Sequence, residues 1–110
     1  MQKTSLEALG RQQIEAARSA AGGHAADTVF GGHEKTLRQT VIGMVGGAQL
    51  GEHENPGEAT LLVLSGRIRL VAGNVSWEAR RNDLVIVPDA RHSLEALEDS
   101  AVLLTVAKIG

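Results

Sequence analysis

The hydrophobic and polar positions along this chain fall into two regimes. From residue 4 to about 20, Leu6, Leu9, Ile14 and Ala17 recur at mixed helical spacings and predict one short amphipathic helix. Thr4-Ser5-Leu6-Glu7 reads as its capping box, with Thr4 at the N-cap and Glu7 reaching back to the Thr4 amide. Gly10 and an Ala-rich end lower the helix propensity, and Gly22-Gly23 stops the helix. An arm of this kind buries its apolar stripe on another element, either its own domain or a partner.

After Gly23 the pattern becomes that of short strands punctuated by Gly, Asn, Asp and Pro. Strands are expected at residues 28–30, 37–45, 60–64, 67–71, 75–80, 84–87, 93–97 and 101–107. Residues 60–64 and 84–87 are continuous apolar runs, the mark of strands covered on both faces. Gly73-Asn74 signals a hairpin between two alternating segments. Strands at roughly ten-residue spacing, with no second helix, describe an all-β sandwich or barrel. At 110 residues the chain fits one domain, with residues 1–23 as a helical arm and 24–110 as the barrel.

Composition narrows the chemistry. The chain is 43% hydrophobic but has one Trp, one Phe and no Tyr, so its core must be aliphatic. That poverty argues against stacking bases or sugars on aromatic faces. A net charge of −2, with Arg80-Arg81 as the one adjacent basic pair, excludes a clustered basic face for nucleic acid. With no cysteine there is no disulfide, zinc knuckle or thiol nucleophile. MQKTSLEALG holds no apolar run of membrane-spanning length, so no membrane association and a cytoplasmic location are expected.

Two His-bearing turns carry the remaining signal. The first lies in GAQLGEHENPGEATLLVLSG, residues 47–66, and the second in Leu84-Val85-Ile86-Val87-Pro88-Asp89-Ala90-Arg91-His92. Together they resemble the two motifs of the cupin superfamily. The first motif of that family runs from Gly through His-x-His and Glu to a closing Gly; the second ends in Pro-x-Gly-x-x-His after an apolar strand. Here Gly47, His53 and Gly66 keep the family's spacing. Asn55 stands at the second His position, Ala59 at the Glu position and Ala90 at the Gly of the second motif, with one residue fewer before His92. The resemblance spans about residues 35–107. It implies a double-stranded β-helix, a cupin-like jelly-roll barrel with a short N-terminal α-helix, often assembled as a homodimer.

The family's metal set, carried over by position, leaves His53 and His92 and loses the other two ligands. A catalytic first-row metal normally takes three protein N/O ligands and keeps one position open, so two imidazoles fall short. Asn55 offers a weak amide oxygen. Glu58 is adjacent to the ligand position but faces away by strand alternation, unless a bulge at Gly57 re-aims it. His33, in a Gly-rich turn, is a further candidate. The expected ligand pocket is therefore His53, Asn55 and His92. A divalent metal (Fe, Mn, Ni or Zn) on His53 and His92, with Glu58 or His33, is the alternative. Three functions remain open: a small-molecule-binding protein with a degenerate metal site, a metal-dependent dioxygenase or isomerase, and a dimeric accessory module. Arg38, Arg67 and Arg69 read as a solvated strand face, Trp77 as the cover of a sheet face or a subunit contact, and His24 as a loop residue.

Overall fold

The computed structural model describes residues 2–53 and 57–108, apart from the side chains at 52 and 53. One helix, α1 (Leu6–Arg18), precedes nine strands. These are β1 (His24–Phe30), β2 (Leu37–Met44), β3 (Gln49–His53), β4 (Gly57–Ser65), β5 (Arg67–Ala72), β6 (Val75–Arg80), β7 (Leu84–Ile86), β8 (His92–Ala96) and β9 (Ser100–Lys108). They form a five-stranded sheet, ordered β1-β2-β9-β4-β7, and a four-stranded sheet, ordered β3-β8-β5-β6. All pairings are antiparallel. The two sheets face each other as a jelly-roll barrel, as the strand spacing leads one to expect.

Period-two alternation decides what each strand buries. On β4, Ala59, Leu61 and Val63 enter the core, while Glu58, Thr60, Leu62 and Leu64 take the opposite face. On β9, Val102 and Val106 do the same, opposite Val63 and Ala59. Ile68 and Leu70 of β5 and Leu94 and Ala96 of β8 close the core from the smaller sheet. The core is aliphatic throughout, with Met44 its one sulfur-bearing side chain. The outer face of the smaller sheet is polar instead. Gln49, Glu95, Arg69 and Glu78 stand in one row across its four strands. Arg69 donates to Glu95 (3.3 Å) and Glu78 (3.2 Å), and Gln49 donates to Glu95 (3.3 Å).

Part of the outer face of the larger sheet is apolar, with Val41, Leu62, Leu64, Ala101 and Leu103, and α1 lies over that part. Its N-cap is Ser5 rather than Thr4: the Ser5 hydroxyl accepts the Ala8 amide at 3.2 Å. Glu7 then pairs with Arg11 one turn later instead of closing a capping box. The helix sits very close to the sheet. A Cβ added at Gly43 of β2 would come within 2.2 Å of the Gln13 carbonyl carbon, and one at Gly10 within 3.1 Å of the Ala101 Cβ. Ala17 and Val41 are fully buried at this contact. The apolar arm therefore covers its own barrel.

Turns use their glycines for defined reasons. Gly73, with φ +61°, takes the first position of the two-residue β5–β6 hairpin, where a type II′ turn needs positive φ. Gly66, with φ +80°, crosses the β8–β9 turn so closely that a Cβ would lie 2.3 Å from the Asp99 carbonyl oxygen. That turn is itself a clamp. The buried Ser100 hydroxyl accepts the Arg67 amide at 2.9 Å and lies 2.7 Å from the Glu98 carbonyl oxygen. The Asp99 carboxylate accepts the Gly46 amide at 2.8 Å and an Arg18 N–H at 3.1 Å. It thereby ties the end of α1 to the β2–β3 and β8–β9 turns. The Gly46 amide, with help from Arg18, holds the Asp99 carboxyl below the usual carboxylate range, against an opposing effect of burial.

Two predictions test this frame. Gly43→Ala should destabilise the protein by about 1–3 kcal/mol in urea unfolding, because the added methyl meets helix backbone that cannot turn away. Gly51→Ala, where a Cβ meets nothing within 4 Å, should leave stability nearly unchanged. Asp99→Asn should lower the melting temperature at neutral pH. A lowered folded-state pKa contributes stability that is present above the unfolded value of about 3.9 and disappears as pH falls through the folded value. The gap between wild type and Asp99→Asn should therefore narrow in melts taken progressively below about pH 4.

Candidate functional site

One end of the barrel holds the β1–β2 and β7–β8 connections, the end of β3 and the start of β4. β3 ends and β8 begins there, and His53 stands directly opposite His92 in their ladder. Cα atoms so placed are about 4.5–5.5 Å apart. The register shifts between Leu50 and His53, so a bulge in β3 brings the two histidines into line. The structure thus bends the chain beside the site at β3, one connection before Gly57. Asn55 lies outside the described residues.

His92 is the one described site residue that reaches the interior. It alternates inward with Leu94 and Ala96 and is 5% exposed, whereas Ser93 faces the other way and makes no Ser-His pair. Its Nδ1 lies 2.8 Å from the Ala90 carbonyl oxygen. A carbonyl oxygen only accepts, so Nδ1 carries the proton of this bond and Nε2 keeps the lone pair in the neutral ring. Histidines that bind metals or polar ligands through Nε2 are oriented in this manner. The ring borders a cavity of about 20 Å³ shared with Ile42, Leu50, Leu61, Leu70, Val87, Leu94 and Leu104. That volume has room for about one water. Among the described residues the rest of the core is aliphatic apart from Met44.

The other candidate ligands stay outside this interior. Glu58 is exposed, on the opposite face of β4 from the buried Ala59. His33 is exposed in the β1–β2 turn, where its carbonyl oxygen accepts Lys108 Nζ at 3.3 Å. Among the described residues, no three His, Asp or Glu side chains converge on one point. The motif's Glu position is held by Ala59, which faces the core and has no lone pair to offer. Among the described side chains, His92 is the one candidate ligand facing the interior, while the side chains at 52–56 lie outside the described residues. His24 opens β1 opposite Met44 and is strand rather than loop. Arg69 belongs to the outer polar row, as the solvated-face reading has it.

Sequence reasoning missed β3 as a strand. Gln49-Leu50-Gly51-Glu52-His53 offers one large apolar residue, and an edge strand with a bulge needs no more. The signal available was Leu50 at the right distance from His53, now seen paired with Leu94 at the cavity wall.

No family model matches the chain, and no curated protein matches it by sequence. Solved structures do match in shape. A conserved protein of unknown function from Streptococcus pyogenes is 24% identical over 83% of this chain and 79% of its own, with a TM-score of 0.73. A cupin superfamily protein from Desulfitobacterium hafniense is 14% identical over 78% of each chain, with a TM-score of 0.71. A mutant salicylate 1,2-dioxygenase from Pseudoaminobacter salicylatoxidans is 18% identical over 89% of this chain but 33% of its own, with a TM-score of 0.75. Two facing antiparallel sheets in this order, His53 opposite His92 at one mouth and these likenesses agree: the chain has the cupin fold.

Proposed function

We propose that this protein binds a small molecule at the barrel mouth, with His92 as its polar anchor and no intact metal centre. The observation that carries this reading is the environment of the His92 ring. It is buried among aliphatic side chains at a small cavity, and its Nδ1 is tied to the Ala90 carbonyl oxygen, which fixes the ring at the barrel mouth. With room for about one water in the described interior, the guest is held where β3 meets β8 and not deep in the barrel. Fold alone does not select a ligand, since one barrel hosts many chemistries.

A second reading keeps a divalent metal. The Nδ1-to-carbonyl bond of His92 is what a metal-bound histidine uses, and His53 stands opposite it. The likeness to salicylate 1,2-dioxygenase supports the fold of such an enzyme, while the Ala59 position weakens the ligand set.

Elemental analysis of protein purified without chelator separates the two. The binding reading expects Fe, Mn, Ni and Zn well below one per chain. Near-stoichiometric metal that disappears in both His53→Ala and His92→Ala would sink it in favour of the second. His92→Leu, similar in bulk, should cost stability about 0.5–1.5 kcal/mol for the lost Ala90 bond. It should also release any small molecule that native mass spectrometry finds on the wild type.

A further inference from the structure

Parity on β2 turns one arginine toward the barrel interior. Arg38 pairs with Val106, and Val106 with Ala59, so Arg38 lies on the core-facing side of the larger sheet. Thr40 and Ile42 follow on that side at steps of about 7 Å. Ile42 is a wall of the cavity beside His92, so the row leads from that cavity to the mouth, with the half-buried Arg38 at its outer end. The other arginines of the described strands face outward: Arg67, Arg69 and Arg80 alternate with the buried Ile68, Leu70 and Ala79. The solvated-face reading therefore holds for Arg67 and Arg69 but not for Arg38.

This inward guanidinium has no counter-charge. Among the described residues Arg38 makes neither an ion pair nor a side-chain hydrogen bond, whereas Arg11, Arg18 and Arg69 each hold a carboxylate. Glu34, Glu58 and Asp89, the described carboxylates at this end, are exposed and none of them reaches it. Lys108, at the end of β9, donates its ammonium to the Gly32 and His33 carbonyl oxygens at 3.0 and 3.3 Å. Those bonds fasten the β1–β2 turn over the end of the sheet and occupy the neighbouring cation. One further donor lies beside Arg38. The Thr28 and Thr40 hydroxyls are 3.4 Å apart, and a bond between them uses only one of their two protons.

We infer that this row is an anion site and that the guest at the mouth is a short carboxylic acid. Its carboxylate sits on Arg38 and a threonine hydroxyl, and its hydrocarbon end points toward His92. The inference rests on the small-molecule reading above and adds the class of guest. Charge and shape select a carboxylate. One guanidinium balances one negative charge, and its planar fork fits two carboxylate oxygens side by side. A doubly charged phosphate group needs more donors than this row supplies. Val106 and Leu104 keep water from one side of the pair, where a Coulomb attraction is worth more than at an open surface. Size sets the length of the acid, because the cavity beyond has room for about one water.

Saturation-transfer NMR on the full chain, with millimolar acetate, propionate and butyrate each set against its amide, tests this. The acids should bind the wild type, and the amides, alike in shape but uncharged, should bind far more weakly. Arg38→Gln, which keeps the stem and loses the fork, should weaken the acids by roughly tenfold or more. Arg81→Gln, exposed in the β6–β7 turn at the other end of the barrel, should leave them unchanged. In urea without acid, Arg38→Gln should be at least as stable as the wild type, since no bond within the chain is lost. A less stable Arg38→Gln, or acid binding that survives it, overturns the inference. So does a wild type that binds none of the three acids, or that binds amides or inorganic phosphate as tightly. His92→Leu separates this inference from the reading it rests on. Acid binding that needs Arg38 but persists in His92→Leu supports the anion site and removes His92 as the anchor. Binding lost in His92→Leu and kept in Arg38→Gln retains that anchor and overturns the anion site.

Discussion

The structure turns on one constraint: β9 and β4 lie side by side in the interior of the larger sheet with apolar side chains on both faces. Val102, Val106, Ala59, Leu61 and Val63 need cover on one side, and Ala101, Leu103, Leu62 and Leu64 need it on the other. The smaller sheet supplies the first cover and α1 part of the second. The approach of α1 depends on glycine on both sides of the contact, Gly10 in the helix and Gly43 in the strand, which let backbone meet backbone. A longer or bulkier contact would lift the helix and expose the β9 row again. The clamp at Asp99 then holds the far end of α1 to the turns that close the barrel.

Much of this is visible in the residues alone. The continuous run at 60–64 announces two-sided cover, and Gly73-Asn74 announces its hairpin, because these signals are local: side-chain parity and turn dihedrals. What the residues hide is non-local. Gly10 reads as a helix-weakening residue until Ala101, distant in sequence, is seen against it. β3 reads as a loop because its partner β8 contributes most of the apolar pairing at that edge. The cap falls on Ser5 instead of Thr4, a one-residue difference that only the Ala8 amide settles.

The site divides in the same way. Gly47 and Gly66, which frame the first motif, hold positive φ, and Gly66 also sits against the β8–β9 turn. Their spacing records the backbone path of the barrel and is indifferent to what the intervening side chains bind. Ala59 shows the difference. Its position serves the aliphatic core as well as any small residue would, so the barrel stands without a carboxylate there. His92 keeps a defined orientation because Ala90, in the same turn, fixes its ring.

The placement of β9 also bears on the order in which the barrel can form. β9 is the last strand of the barrel, yet it lies between β2 and β4, which come far earlier in the chain. Until β9 enters, the gap between β2 and β4 stays open, while α1 can already meet the β1–β2 hairpin, on which most of its contacts fall. Closing contacts so distant in sequence is slow compared with forming local turns. The joining of β4 to β2 through β9 therefore comes late, while α1 with the β1–β2 hairpin, and the β5–β6 hairpin, can form ahead of it.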